Sequence, residues 1–455
     1  MPARRDTMQE VCLEVDARCL GRSYRSQRVL DVCRLDGQPL GHYTLAPKVY
    51  LQDQIRRIRS TPQLSLAQRL ERLKQGAQLF AGAELAGMSF DTYCTRVREV
   101  SGLPTEVVKG SAQRIVRGLE RLEQALKAAT PAGAVWSSED PTAEQGCSLF
   151  SRKGEVLAVI AAGNGPGVHA LWPQALAMGY RVLVRPSTRE PLTAQRLVLA
   201  LELAGLGNYA ALLPTDHSGA ETLIELCDLS IVYGGEELAR RYSAHPRVLV
   251  QGPGRAKMLI GADADPAKAA RLAAQSILDL GGAACVCTSA VLVEGDAKRF
   301  SQYLQRELDK LAPSTPRLLP TTMAEALQAS LGADLTPGTL QTDRHGMRVH
   351  PLLTLVARAD DPKVQRELPF ACVTVAPFDP ERDAGVLSHS LVLTVVSRQP
   401  HLIDLVLRDS SIANVYVGHI PSTWMDETVP HDGYLTDFLM CNRGYRVEAG
   451  WLREP

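Results

Sequence analysis

Short apolar runs rich in valine recur between residues 156 and 254: "VLAVIAAG" (156–163), "RVLVRPS" (181–187), "LSIVYGG" (229–235) and "RVLVQGPG" (247–254). Helix-length segments such as "HALWPQALAMG" and "LTAQRLVLALELAG" separate the first three. Strands without a polar face are buried on both sides, so their alternation with helices predicts a parallel sheet covered by helices. Before them, residues 48–129 switch to helical spacing, as in "LAQRLERLKQGAQLFAGAELAG" and "VVKGSAQRIVRGLERLEQALKAA". Residues 1–45 hold short β-prone pieces ("VCLEV", "HYTLA"), and "TPAGAVWSSEDPTAEQG" (130–146) reads as a loop. From 263 the alternation resumes with a helix ("PAKAARLAAQSILDLGG"), a strand ("AVLVEG") and a helix ("KRFSQYLQRELDKLA"). The strands "LLTLVARA", "CVTVAPF", "LVLTVVSR" and "IANVYVG" come after them. The pattern divides the chain near 255 into two α/β domains, 1–255 and 256–420.

Composition narrows the classes. The 455 residues, 45% hydrophobic and 22% charged, suffice for two or three globular domains. Fifty Lys plus Arg balance fifty Asp plus Glu, which argues against nucleic acid as a partner. "MPARRDTMQEV" carries two arginines with no apolar stretch after them, unlike a secretory signal. No apolar run approaches about 20 residues, so no membrane span is expected. The ten cysteines show neither a C-x-x-C pair nor His/Cys ligand spacing. No metal and no disulfide framework are expected, and the compartment reads as the reducing cytoplasm.

Candidate chemistry gathers at the ends of the apolar runs, where open α/β sheets bind ligands. In "AAGNGPG" the glycines do not fit G-x-G-x-x-G, but Asn164 offers an amide able to donate to an oxyanion; the alternative is a tight-turn asparagine. "VRPSTREPLTA" places Arg185, Ser187 and Thr188 at a strand end ahead of a helix, which suits a ribose or phosphate as well as a surface strand exit. Gly234 and Gly235 in "VYGGEELARR" suit a pyrophosphate or an ordinary turn. In "GGAACVCTSAVLVEG", Cys285 and Cys287 read either as a nucleophile with its neighbour or as two buried thiols.

Taken in order, these pieces resemble the aldehyde dehydrogenase superfamily over about residues 145–420. "VIAAGNGPGVHALWPQALAMGYRVLVRPSTREPLTA" is similar to its stretch from the catalytic asparagine to the Lys-Pro-Ser-Glu strand. "LSIVYGGEELARR" is similar to its Phe-Thr-Gly-Ser turn, and "VQGPGRAKMLIGADAD" to Glu-Leu-Gly-Gly-Lys with its later Asp-Ala-Asp. "GGAACVCTSAVLVEG" looks like its active-site cysteine segment and "ELPFACVTVAPF" like Glu-x-Phe-Gly-Pro-Val. The resemblance implies a Rossmann-type parallel-sheet cofactor domain, an α/β catalytic domain and a small β oligomerisation arm, here 146–159 with 430–455. It puts Cys285 on the nucleophile position and Gln251 where the family has a general-base glutamate. An amide cannot take a proton from water, so hydrolysis of an acyl-cysteine lacks its base.

That departure, with "CVCTS", "ELPFACVTV" and the long N-terminal region, looks most like the luminescence-type (LuxC-like) fatty-acyl reductases, an acyl-CoA reductase branch. The resemblance then implies NADPH-dependent reduction of an acyl-CoA, acyl-carrier-protein thioester or acyl-adenylate to the aldehyde. Cys285 carries the acyl group, Asn164 stabilises the oxyanion, and Gln251 positions the substrate or keeps water from being activated. Arg185, Ser187, Thr188, Gly234, Gly235, Gly252 and Phe370 are the implied cofactor-binding residues. Thr188 in place of the family's glutamate favours NADPH, with NADH as the other cofactor. Implied partners are an acyl carrier protein or acyl-activating enzyme, and a second copy in a homo-dimer or tetramer. The competing readings are an aldehyde-oxidising dehydrogenase and a catalytically silent scaffold or acyl carrier.

Overall fold

Strands buried at every residue, Val156–Ile160 and Arg181–Arg185, lie side by side in a seven-stranded sheet. The order across it is Val248–Gln251, Leu229–Tyr233, Val156–Ile160, Arg181–Arg185 and Ala210–Leu212, all parallel, then Ala17–Cys19 and Arg22–Tyr24, antiparallel. The computed structural model describes residues 12–312 and 317–451; the N-terminal "MPARRDTMQEV" and the last four residues of the 430–455 segment lie outside this range. Successive strands after Ile160 are added on one side, and Leu229–Tyr233 then returns to the other. Such a switch point opens a crevice at the carboxyl ends of the strands.

The second sheet is also parallel: Leu352–Leu355, Cys372–Pro377, Ala290–Val293, Lys257–Ile260, Val392–Val396 and Asn414–Val417. The expected two-sheet α/β architecture is present, and residues 317–349 add three antiparallel strands that the apolar pattern does not foretell. A further difference concerns the first strand of the second sheet. Lys257–Ile260 lies near its middle, ahead of the helix at which the apolar pattern resumes its alternation. Lys257 begins it fully buried, with Nζ donating to Arg255 O and Ser390 Oγ at 3.0 Å each. Burial lowers its pKa to about 8.

The helical stretch 48–129 belongs to the first sheet's core. Leu66–Gly82 starts at a capping box, Ser65 accepting from the Gln68 backbone while Gln68 accepts from Ser65 N. Its buried Leu73, Ala77 and Phe80 share one apolar cluster with Leu157, Val159, Trp172 and Val182. Leu435, Leu439 and Met440 join the same cluster, so the C-terminal segment is anchored on the first sheet.

The 146–159 segment divides. Residues 156–159 are in the core sheet, and only Cys147–Arg152 belongs to an arm, pairing antiparallel with Met440–Tyr445 and parallel with Ala134–Val135. The two strands of the expected oligomerisation arm thus pair with each other within one chain. Among the described residues, no helix is long and apolar enough to cross a membrane.

Candidate active site

The carboxyl ends of the first sheet's strands and the amino ends of the second sheet's strands face one cleft of about 350 Å³. Into its lining come Asn164 from the loop after Val156–Ile160, and Gly234 and Gly235 after Leu229–Tyr233. Gly252 comes directly after Val248–Gln251, Cys285 precedes Ala290–Val293, and Phe370 precedes Cys372–Pro377. Six of the ten residues singled out from the sequence therefore share a cavity. Gln251 adjoins it, while Arg185, Ser187 and Thr188 sit outside the lining at the end of Arg181–Arg185. Arg185 is buried there, its Nε donating to Thr215 O at 3.2 Å. Ser187 Oγ accepts from Arg189 N at 3.2 Å, and Thr188 is half-buried.

Cys285 is partly exposed in the cleft and Asn164 is exposed, its Nδ2 donating to Ala283 O at 3.3 Å. The amide is therefore held over the loop that carries the cysteine. Gly254 packs on the Cys285 backbone so closely that a Cβ there would lie 1.8 Å from Cys285 O. On the other side Gly282, at φ +66°, leaves room for Ala371. These contacts set the loop's position, which is why small residues precede the cysteine. Cys287 behaves differently. It is buried, its Sγ donates to Asp279 O at 3.2 Å, and burial pushes its pKa up to about 12. Its reading as an inert thiol fits this environment.

Sequence reasoning assigned no role to any histidine, yet His431 Nε2 stands 4.0 Å from Cys285 Sγ. The ring's other nitrogen faces Asp432 Oδ1 at 3.7 Å. Gln251 Nε2 donates to Asp432 Oδ2 at 2.8 Å, and Asn414 Nδ2 donates to the His431 carbonyl. Tyr233 lies opposite Gln251 in the strand register, its hydroxyl buried without a partner. Burial opposes charge on the His431 ring, but Asp432 and the Cys285 sulfur overcome it and raise its pKa to about 10. The segment "ETVPHDGYL" carries no periodicity or motif that could have pointed to this contact.

Glu367 is the other residue that sequence reasoning left without a role. Its Oε1 accepts from Arg255 N at 2.6 Å, holding Arg255 at a positive φ of 45°, and burial raises its pKa. Arg255 also pairs with Glu236 across the cleft mouth. Away from the cleft, Glu14 lies opposite His42 in the N-terminal sheet. With Cys12 they bring three potential ligand atoms within 4.8 Å of one another, a grouping that the linear spacing does not reveal.

The cleft suits a dinucleotide. It lies at the switch point, and Gly235, ahead of the helix Glu236–Tyr242, has nothing within 4 Å of a built Cβ, leaving its backbone open to a phosphate.

A family model described as "Aldehyde dehydrogenase family" matches residues 61–434. Over 186 residues the chain is 26% identical to 2,5-dioxopentanoate dehydrogenase of Saccharolobus solfataricus, covering 38% of each protein. Over 210 residues it is 28% identical to malonate-semialdehyde dehydrogenase 1 of Geobacillus kaustophilus, covering 43% of this chain and 42% of that one. The chain thus spans less than half the length of these curated relatives. Solved structures match it nearly end to end. The aldehyde dehydrogenase KauB from Pseudomonas aeruginosa superposes with a TM-score of 0.80 at 18% identity, covering 96% of this chain and 97% of that one. An indole-3-acetaldehyde dehydrogenase complexed with NAD+ gives 0.79 at 20% identity, covering 97% and 98%.

Proposed function

The chain belongs to the aldehyde dehydrogenase family, and from that premise we propose that it reduces an activated acyl group to the aldehyde through an acyl-cysteine on Cys285. The carrying observation is the side chain at 251: an amide, not a carboxylate, turned onto Asp432 at 2.8 Å. A glutamate there would set two carboxylates against each other, and one would have to stay protonated. With Gln251 the cleft has no base at that position to drive water onto the acyl-cysteine.

In this reading the Cys285 thiolate adds to the carbonyl of a thioester or acyl-adenylate. Asn164 Nδ2 and the Cys285 backbone N–H donate to the oxygen as it becomes negative. Phe370, buried in the wall, helps keep water out. A bound nicotinamide dinucleotide supplies the hydride. Gly234, Gly235 and Gly252 would hold it by backbone contact. Thr188 and Arg185 at the neighbouring strand end support a preference for NADPH, since no carboxylate stands there against a 2′-phosphate. A second copy is proposed to join along the exposed edge of Met440–Tyr445. The acyl donor is proposed to come from an acyl carrier protein or an acyl-activating enzyme.

Aldehyde oxidation is the second reading. The names of the curated relatives favour it, as does a histidine within reach of the cysteine. One pair of assays separates the two: NADPH consumption with acyl-CoA thioesters, and NAD(P)+ reduction with the matching aldehydes. The acyl-reducing reading expects the first to exceed the second, with aldehyde as product. Carboxylate formation from aldehyde, without NADPH consumption on any thioester, would replace it with the second.

A further inference from the structure

The family's usual base position is neutral in this chain, but the cleft is not without a proton carrier. His431 touches Cys285 through Nε2, and Asp432 stands at the ring's far side. Gln251 holds Asp432, and the Asn414 amide pins the His431 carbonyl while also donating to Leu391 O at 2.9 Å. A nucleophile, a ring within reach of it and a carboxylate behind the ring form the arrangement by which a weak nucleophile is activated. The cysteine comes from the loop before Ala290–Val293, the ring and the carboxylate from the segment after Asn414–Val417, and Gln251 reaches them from the end of Val248–Gln251. We infer that His431, with Asp432 facing the far side of its ring, is the acid–base residue of Cys285, and that Gln251 is a positioning residue that holds Asp432 behind the ring.

The inference rests on the acyl-transfer reading for its chemistry, and the steps balance. His431, held protonated beside Asp432, keeps Cys285 as the thiolate, and the sulfur bonds to the acyl carbon. The donor's bond to that carbon breaks, and its leaving thiolate takes the proton from Nε2. After hydride delivery the carbon–sulfur bond to Cys285 breaks, releasing the aldehyde and the thiolate, and His431 regains one proton from solvent. The amide at 251 then has a reason to be an amide. A glutamate would compete with Asp432 for the same space and could not donate to it. Tyr233 is the remaining titratable group facing Asp432 and Cys285, and burial raises its pKa, so it stays neutral. Glu367, across the cleft, is engaged with Arg255.

The test uses the full-length enzyme and a reaction independent of substrate identity. Cys285 alkylation by iodoacetamide at pH 7 is followed by peptide mass spectrometry in wild type, His431→Asn and Asp432→Asn. Circular dichroism melts confirm folding. A neighbouring imidazolium keeps a cysteine as the reactive thiolate, so His431→Asn is expected to slow alkylation at least about 10-fold. Free imidazole should restore part of the rate. Asp432→Asn, which keeps the ring, should give a smaller loss in the same direction, and serves alone if His431→Asn does not fold. Alkylation of the folded variants within twofold of wild type overturns the inference. So does a loss in His431→Asn that imidazole leaves unchanged, because that marks a packing role. If alkylation responds as expected but no acyl donor consumes NADPH, the dyad stands and the acyl-reducing reading fails.

Discussion

Gly254→Ala probes the site through its backbone alone. A Cβ at 254 would stand 1.8 Å from Cys285 O, 2.5 Å from its carbonyl carbon and 2.9 Å from its Cα, where ordinary contact begins at 3.4 Å. The loop must therefore open by about 1.5 Å, and backbone cannot rotate away as a side-chain tip can. Misplacing a reacting group by about 1 Å costs on the order of 10²-fold in rate. The Gly254 carbonyl also accepts from Leu391 N at 2.7 Å, which limits retreat on the other side. Acylation of Cys285 by a thioester, timed by intact-protein mass spectrometry, should slow about 100-fold in Gly254→Ala while the circular dichroism spectrum is retained. Gly110→Ala is the matched control: this glycine lies within the helix Thr105–Glu120, with nothing within 4 Å of its built Cβ. It should leave the rate unchanged and stabilise the fold by about 0.5–1 kcal/mol. Acylation in Gly254→Ala within threefold of wild type would refute the reasoning.

Other consequences are open to measurement. His169 is fully buried, its Nδ1 accepts from Trp172 Nε1 at 3.0 Å, and burial lowers its pKa to about 3. Its stabilisation is full above the unfolded value near 6.5 and is lost at about 1.4 kcal/mol per pH unit as pH falls toward 3. His169→Gln, which keeps an acceptor for Trp172, should flatten the dependence of the urea midpoint on pH between 6.5 and 4.5; parallel curves would count against it. Arg317 is buried with Nε and Nη1 unpartnered, and Arg189 adds a like charge nearby. Arg317→Met should therefore raise stability by about 1–3 kcal/mol, and a lowered melting temperature would show that the charge is compensated. Thr188→Glu should shift the NADPH-to-NADH ratio of kcat/KM at least about 10-fold toward NADH, and an unchanged ratio would mean that the position does not read the ribose.

The parallel sheets were legible because strands buried on both faces leave uninterrupted valine-rich runs, as at 156–160 and 392–396. Ligand-facing residues at strand ends were legible for a related reason: the fold places such ends in one crevice, so local motifs such as "VYGG" and "GGAACVC" sufficed. Lys257–Ile260 escaped because "RAK" leads into it, which reads as surface until burial of the Lys257 ammonium is seen. His431 escaped for a stronger reason. It lies 146 residues beyond Cys285 in an irregular segment, and only tertiary packing joins them. Arg185 shows the converse, a strand-end cation whose nearest partner is the backbone of Thr215.

The Cys285 mechanism depends most on where the acyl group sits. The direct measurement incubates the enzyme with an acyl-CoA thioester without cofactor, maps the adduct by peptide mass spectrometry, and then adds NADPH. Acyl transfer to Cys285 should give an adduct on that residue that disappears as aldehyde forms, with one NADPH oxidised per adduct lost. An enzyme that forms no adduct on Cys285 yet produces aldehyde, or an adduct that releases only carboxylate when NADPH is added, would contradict it.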